Sequence, residues 1–354
     1  MDEQFEKETD QEKVPGYIVE KPTMDRIISP LNNVLNRELD PNERSITMIG
    51  ILQERDIPAQ LNKVLFDALE TVVKDKNEHP YVRGETLNFF IRLHKLQDPE
   101  LRKRAFDILQ SIVSDKQELV NSREKVTWAF GEDDVVPYML GENQEENERI
   151  LNSVYDQINQ EEYIRQERGP SARASFMRAL KHGLRSDKIS PEVKEKFIER
   201  LKENLFDKEE QDLLLRKESV FALYSIFKSK GISEASKRKI WSALDESFKD
   251  RGEEVELRKE PSEVFEYIVN LEGGGEFRRK SFSELQERLF DKQEDPVLRA
   301  HVGWVMASIA EKSRSKPFRN QAEEALAQIR VASEYQNLLQ FVKTDGFTGK
   351  KRIF

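Results

Sequence analysis

Apolar residues recur along the chain at a spacing that suits helices packed through one side. Seven arginines mark the pattern, because the side chain seven positions after each of them is apolar. Those apolar residues are Ile51, Phe90, Phe130, Leu180, Leu223, Phe265 and Met306. The preceding position is small or apolar each time. An α-helix turns about 100° per residue, so neighbouring positions six and seven lie on one face. The pattern therefore predicts a buried helix after each arginine.

The marker arginines repeat with a nearly constant period. They are Arg44, Arg83, Arg123, Arg173, Arg216, Arg258 and Arg299, and the intervals between them are 39, 40, 50, 43, 42 and 41 residues. Proline stands three residues before four of them, where the first turn of a helix tolerates a missing N–H. Asp40 and Asp295 precede two of these prolines and are expected to cap the helices. Such a period predicts a helical solenoid.

A second amphipathic stretch precedes most of the marked helices. These stretches cover residues 58–74, 99–115, 191–206, 233–249 and 277–290. Each repeat is therefore predicted to be a pair of helices, a first helix followed by a second helix that carries the arginine. Strand patterns with a period of two are nearly absent, so the fold class is predicted to be all-α.

The repeated unit resembles the HEAT repeat family, whose second helix commonly opens with Asp-Pro-x-Val-Arg. Residues 295–299 (Asp-Pro-Val-Leu-Arg) and 79–83 (His-Pro-Tyr-Val-Arg) are the best matches. The resemblance covers roughly residues 23–316. It implies an α-solenoid of about seven helix pairs in which the seven arginines act as structural struts between repeats. It implies nothing specific about function, because this architecture serves many roles.

The parts of the chain outside the regular repeats differ in composition. Residues 1–22 are rich in acids at their start and predict a disordered acidic tail and linker. Residues 317–343 predict capping helices, and residues 344–354 a flexible basic tail. The long interval after Arg123 places an acidic insertion at 131–148 inside the solenoid.

The insertion has two interpretations. It is either a tolerated surface loop or a partner-binding element that offers an apolar plug. The residues of that plug are Val135, Val136, Tyr138, Met139 and Leu140. The same residues, if exposed, would allow two copies of the chain to associate through this loop.

Composition removes several classes of function. The chain has 354 residues, no cysteine and a net charge of −9, which argues against indiscriminate binding to nucleic acid. Its four histidines show no metal-ligand spacing, and no apolar run is long enough to span a bilayer. The glycines at 273–275 lack the strand and the Lys-Ser/Thr of a phosphate-binding loop. We expect no catalytic residues, no cofactor, no metal, no membrane partner and a cytoplasmic location.

The face of each second helix opposite the packed side is the predicted partner-binding surface. In the HEAT architecture the second helices line the concave side, and positions one, five and twelve after the arginine should point there. These positions combine aromatic and basic residues: Lys95, Trp128, Arg178, Arg185, Lys217, Phe221, Lys228, Lys259 and Trp304. Aromatic anchors beside cations are typical of protein recognition. The alternative is that the aromatic residues pack between helices and the cations are merely solvated.

The sequence therefore favours a non-enzymatic scaffold or adaptor that binds an acidic or amphipathic segment of another protein along this face. The alternative is a nucleic-acid-binding HEAT-like protein, including one similar to the solenoids that excise alkylated bases. In that case the same cations would contact phosphates, and binding would weaken steeply with salt. The sequence does not identify the partner.

Overall fold

The chain is an all-α solenoid built from helix pairs. The computed structural model describes residues 11–14, 17–20, 24–54, 57, 59–92, 98–115, 117–132, 135–141, 143–159, 170–210, 212–273 and 275–331. The first helices of the pairs are α1 (Ser29–Leu35), α3 (Ala59–Lys74), α5 (Pro99–Ser114), α8 (Gln144–Asn159), α10 (Pro191–Phe206), α12 (Glu234–Lys249) and α14 (Gly275–Phe290). A π-helical turn, Met24–Ile28, leads into α1.

The second helices carry the marker arginines. They are α2 (Pro41–Gln53), α4 (Pro80–Ile91), α6 (Val120–Glu132), α9 (Pro170–Arg185), α11 (Leu213–Phe227), α13 (Val255–Asn270) and α15 (Pro296–Lys312). A short helix, α7 (Val135–Met139), lies in the insertion, and α16 (Lys316–Val331) follows the last pair. The predicted all-α class and the pairing of helices are confirmed.

Capping residues define where the second helices begin. Asp295 accepts hydrogen bonds from the backbone N–H groups of Val297 (2.7 Å) and Leu298 (3.3 Å), and Asp40 caps α2 in the same way. In α4 the cap is the imidazole of His79, which accepts from the N–H of Tyr81 at 3.4 Å. Proline follows each of these caps, so the sequence expectation for these helix starts is confirmed.

The seventh position after each arginine lies in the core, as the apolar pattern predicts. The seven residues Ile51, Phe90, Phe130, Leu180, Leu223, Phe265 and Met306 are all at most 3% exposed. Aromatic pairs contribute to these layers. The ring centroids of Phe248 and Phe265 lie 5.5 Å apart, and the interplanar angle of 87° makes this an edge-to-face contact. Burying a Phe or Leu side chain stabilises a fold by roughly 1.5–3 kcal/mol, so each pair contributes an apolar layer to the core.

The marker arginines are buried between helices and bind the end of the first helix in their own pair. In six of the seven, the Nε donates to a backbone carbonyl in the last turns of that helix, where the carbonyls have no partner within the helix. The arginines seen to do so are Arg44, Arg83, Arg173, Arg216, Arg258 and Arg299, and the carbonyls belong to Val34, Val73, Ile158, Leu205, Phe248 and Leu289. Arg123 is also buried, on α6.

Several of these guanidinium groups also reach forward to the next pair. Arg44 donates to both carboxylate oxygens of Glu78, at 3.0 and 2.7 Å, across the turn that precedes α4. The matching pairs further along are Arg83 with Glu118, Arg216 with Glu253 and Arg258 with Glu294. We call these four glutamate–arginine contacts the ladder. Each one ties consecutive helix pairs together through a bidentate, charge-assisted bond.

Three of the ladder glutamates, Glu78, Glu253 and Glu294, are held ionised. Burial raises the pKa of Glu78, but hydrogen bonds from the Arg44 guanidinium and from the backbone N–H of His79 outweigh it, so the pKa lies below its usual range. The same balance lowers the pKa of Glu253 and of Glu294. These carboxylates are therefore charged and paired at neutral pH.

The described part of the insertion contains a short helix, α7, that packs into its own repeat. Helix α7 contacts α5, α6 and α8. Asn147, fully buried, binds Gly141 in both directions, donating to its carbonyl at 3.0 Å and accepting from its N–H at 2.9 Å. Val136 and Leu140 are buried and Met139 is half-buried, so these three do not form the exposed plug that was one of the two interpretations. The side chains of Val135 and Tyr138 lie outside the described residues.

Two further features differ from the sequence expectations. Within residues 1–22, where a disordered tail and linker were expected, strands β1 (Gln11–Val14) and β2 (Tyr17–Glu20) pair antiparallel. The chain also divides into two compact units, Met1–Ala179 and Leu180–Phe354, with a boundary that falls within α9.

The predicted C-terminal cap is described only in its first part. Helix α16 packs against α15 and buries Ala322, Ala325, Leu326 and Ile329. The remainder of the predicted cap, 332–343, and the predicted tail, 344–354, lie outside the described residues. Within the described ranges, no helix combines the length and the apolar character that crossing a bilayer requires.

Candidate interaction surface

In the second unit, the sides of α11 and α13 that face away from the core carry two stacked tyrosines. The ring centroids of Tyr224 and Tyr267 lie 5.5 Å apart at an interplanar angle of 28°. Tyr267 is 43% exposed, which is unusual for a large aromatic residue on a packed helix. The ammonium group of Lys228 lies 5.3 Å from the centroid of the Tyr224 ring, within cation–π range.

Arg185, at the end of α9, completes this surface. Its charge acts on the Tyr224 hydroxyl and on Lys228. Burial lowers the pKa of Lys228, and the positive charge of Arg185 lowers it further. In the described part of the chain, neither Arg185 nor Lys228 has a carboxylate within ion-pairing distance. We call Tyr224, Tyr267, Arg185 and Lys228 the tyrosine shelf.

The two phenol groups of the shelf remain protonated at neutral pH. Burial raises the pKa of Tyr224 to about 12, and the neighbouring Tyr267 adds to this rise while Arg185 opposes it. Burial likewise raises the pKa of Tyr267, supported by the negative charges of Glu263, Glu266 and Glu260. The shelf therefore presents phenol O–H groups that can donate hydrogen bonds next to two cations.

Two of the predicted surface cations are neutralised by acids of α13. Lys217 lies 3.1 Å from the carboxylate of Glu260 and 3.5 Å from that of Glu256. Lys259 is only 8% exposed and donates to Glu256 at 2.6 Å. Burial raises the pKa of Glu260, and Lys217 only partly offsets that effect. These two lysines therefore satisfy neighbouring carboxylates and add no net positive charge to the surface.

The predicted aromatic residues of this unit are half-buried. Phe221 receives the ammonium of Lys181 at 5.7 Å from its ring centroid, and Lys181 also pairs with Glu218 at 2.8 Å. Trp304 lies against the ring of His301 at 5.6 Å. Both side chains keep part of their surface accessible, and neither stands free of the helices around it.

The remaining predicted residues fall in or near the first unit. Arg178 is half-buried on α9 and has a partner in the structure. Trp128 belongs to α6, but its side chain lies outside the described residues, and Lys95 lies outside them altogether. The structure thus brings together Arg185 and Lys228, pairs Lys217 and Lys259 with acids, and leaves Trp128 and Lys95 undescribed.

Two large apolar side chains are exposed on second helices of the first unit. Ile46 and Tyr81 are 67% and 63% exposed. Beside Tyr81 a cleft of about 510 Å³ opens between the start of α4 and the start of α6. It is lined by Pro80, Tyr81, Gly84, Glu85, Leu119, Ser122 and Lys125. Lys125 donates to the carbonyl of Gly84 at 2.6 Å and pairs with Glu85, so its charge is also satisfied.

Sequence reasoning missed the two tyrosines and the neutralising acids. Tyr267 stands nine positions after Arg258, about 180° around the helix, which borders the predicted face at about 100–140°. Glu218 and Glu260 stand two positions after their arginines, on the same side. Including positions two and nine in the helical register would have identified these three residues.

Among the described residues, no group of three or more histidines, aspartates or glutamates is arranged to hold a metal ion. The arrangement on the second helices can instead bind through aromatic stacking, phenol hydrogen bonds and two cationic groups.

Comparisons with known proteins concern the fold. No protein-family model matches the sequence, and no curated protein sequence matches it. The solved structure of Kap121p bound to Pho4p is similar at a TM-score of 0.54 and 13% identity, covering 89% of this chain and 33% of the Kap121p chain. This chain thus spans about a third of the length of Kap121p, and the similarity shows the helical-repeat fold alone. An engineered protein matches at a TM-score of 0.43 and 13% identity, over 88% of this chain and 76% of its own.

Proposed function

We propose that the chain is a non-catalytic interaction scaffold that binds an acidic or amphipathic segment of another protein at the tyrosine shelf. One observation carries the proposal: two cations without carboxylate partners among the described residues flank two stacked, partly exposed tyrosines. Tyrosine and arginine are enriched where proteins bind one another, and unpaired surface cations attract acidic segments.

The chemistry of the shelf suits carboxylates in particular. The guanidinium group of Arg185 can bind a carboxylate in a bidentate manner, and Lys228, at the end of α11, adds a second positive charge. The phenol groups of Tyr224 and Tyr267 can donate to the same acids while their rings take up an apolar side chain. An acidic segment with one apolar anchor therefore matches the shelf better than a basic segment does.

The test is a fluorescence anisotropy titration of the full chain with short labelled peptides that combine Asp and Glu with one Phe or Leu. The double variant R185E/K228E should bind these peptides more than about tenfold more weakly, because like charges facing each other at an interface cost several kcal/mol. The matched control is Lys316→Glu, which reverses an exposed charge at the start of α16 and should leave affinity unchanged.

The same titration separates this function from nucleic-acid binding. A labelled single-stranded oligonucleotide would stack on the tyrosines and lose affinity steeply with salt if the shelf served nucleic acid. Tight oligonucleotide binding, or equal peptide affinity in the wild type and R185E/K228E, would contradict the proposal. The proposal also keeps the cytoplasmic location that we expect from the sequence.

A further inference from the structure

The two cations of the tyrosine shelf lie close enough to act on each other. Arg185 ends α9 and Lys228 caps the end of α11, and both side chains are exposed in the same unit. The Lys228 ammonium lies 5.3 Å from the centroid of the Tyr224 ring, and the positive charge of Arg185 adds to the effect of burial in lowering the pKa of Lys228. Like charges held this close disfavour each other. An anion that carries two negative charges would offset both.

The acids beside the shelf are bound to other groups. Asp187, two residues after Arg185, pairs with Lys230 at 3.4 Å. Glu266, which precedes Tyr267 in α13, accepts a hydrogen bond from Ser308 at 2.6 Å. Among the described residues, no carboxylate lies within ion-pairing distance of the two shelf cations. An anion from outside the chain would therefore meet two cations that no acid of the chain has neutralised.

The donor groups of the shelf are accessible from solvent. The guanidinium of Arg185 and the ammonium of Lys228 belong to exposed residues, and Tyr224 is half-buried. Burial raises the pKa of Tyr224 to about 12, so its phenol keeps the O–H that can donate. Negative charges on α13 act on the hydroxyl of Tyr267 instead. The favourable place for an anion is therefore the Tyr224 end of the shelf, with the exposed ring of Tyr267 beside it.

We propose that this anion is a phosphomonoester on a side chain of the partner segment, an inference that rests on the shelf being the binding site of the proposed function. A phosphorylated side chain carries about −1.5 to −2 charges at pH 7 and three acceptor oxygens. Its charge offsets Arg185 and Lys228 together, and its oxygens accept from the guanidinium, the ammonium and the Tyr224 phenol. A carboxylate has one charge and two oxygens, so it satisfies fewer of these groups.

Charge also separates a phosphomonoester from other phosphates. Each phosphodiester of a nucleic acid carries a single negative charge, so one such group offsets only one of the two cations. Inorganic phosphate has enough charge, but it has no apolar part to contact the ring of Tyr267. A segment with an apolar residue next to its phosphorylated one uses both ends of the shelf.

The test is fluorescence anisotropy of the full chain with labelled peptides that differ at one residue, phosphoserine or glutamate, next to a leucine. The phosphoserine peptide should bind about tenfold more tightly, the gain expected for one more hydrogen bond to a charged group. Lys228→Gln should reduce this ratio to less than about threefold, because only one cation then remains to be offset. Lys316→Gln, at the exposed start of α16, is the matched control and should keep the full ratio.

The pH dependence of the ratio gives a second readout. Between about pH 7.5 and pH 5.5 a phosphoserine loses much of its second charge, since its second pKa is about 6, while glutamate keeps its single charge. The ratio of the two affinities should therefore shrink over this range. Both peptides contact the same shelf, so the ratio cancels changes in the shelf itself.

The outcomes separate this inference from the proposed function. Equal affinities of the two peptides, or a preference that Lys228→Gln leaves intact, overturn the inference, while binding of the glutamate peptide at the shelf still supports the proposed function. Inorganic phosphate that displaces the phosphoserine peptide at the peptide's own concentration also overturns the inference, because the segment then contributes nothing. Failure of both peptides to bind contradicts the inference and the proposed function together.

Discussion

Arg258 and Glu294 form a buried, two-pronged ion pair that joins the sixth helix pair to the seventh. The guanidinium nitrogens donate to the two carboxylate oxygens at 2.8 and 2.6 Å, and the two side chains are 2% and 1% exposed. The Nε of Arg258 donates to the carbonyl of Phe248 at 3.0 Å. Arg258 thus binds a carbonyl at the end of the first helix in its own pair and also contacts the next repeat.

Removing one partner of this pair should destabilise the second unit strongly. In Glu294→Gln the guanidinium of Arg258 remains buried and charged without a carboxylate, which costs about 3–5 kcal/mol. The measurement is the free energy of unfolding from urea titrations followed by circular dichroism.

The control for this substitution is a second glutamate paired with an arginine. Glu272 binds Arg314 at 3.0 Å, and both side chains are 87% exposed. Glu272→Gln should change the unfolding free energy by less than about 0.5 kcal/mol, because exposed ion pairs contribute little. Similar losses for the two variants would show that the ladder has no special role in stability.

Acid should weaken the ladder before it affects the apolar layers. The pKa values of Glu78, Glu253 and Glu294 lie below their ordinary value of 4.5, because hydrogen bonds from arginines outweigh the opposing effect of burial. Their contribution is fully present above the pKa of the unfolded chain and is lost as pH falls through the lower pKa of the folded state. The urea concentration at the unfolding midpoint, measured from pH 7 downward, should therefore decrease once the pH is below about 4.5. In Glu294→Gln this fall should be smaller, and an equal fall would assign the acid sensitivity to other groups.

Two glycines with positive φ should respond differently to alanine. Gly231 (φ 79°) and Gly273 (φ 82°) both adopt the left-handed conformation, which costs a residue with a Cβ about 1–2 kcal/mol. At Gly231 a Cβ would also lie 3.2 Å from Cγ of Pro191, whereas at Gly273 it would meet nothing within 4 Å. Thermal unfolding should show a larger loss for Gly231→Ala than for Gly273→Ala. Equal losses would mean that Pro191 moves aside easily, and the reverse order would contradict the prediction.

The sequence predicted the repeat well because the same physical requirement recurs in every pair. A residue seven positions after each arginine must be buried for the pairs to stack, so the register of Ile51 or Met306 is visible without a structure. Helix starts such as Asp295 followed by proline are equally local. The residues of one short segment are sufficient to predict both the buried seventh position and the helix start.

The surface was harder to predict because it depends on contacts between repeats. Lys217 occupies a predicted surface position on α11, yet Glu256 and Glu260 on α13 neutralise it, and helical register within one helix does not reveal a partner on its neighbour. Tyr224 and Tyr267 stack although they stand at different positions after their arginines. The packing of α11 against α13 brings them together, and that packing depends on contacts between repeats.

The most direct test of the account asks where an acidic segment contacts the chain. Tyrosine-ring NMR signals of the full chain, labelled on tyrosine, are recorded before and after saturation with an acidic peptide that binds in the anisotropy assay. The account predicts that the signals of Tyr224 and Tyr267, assigned by substituting each with Phe, shift, while that of the buried Tyr155 in the first unit does not. Shifts at the exposed Tyr81 with unchanged Tyr224 and Tyr267 signals would place the binding site on the first unit and contradict the tyrosine shelf.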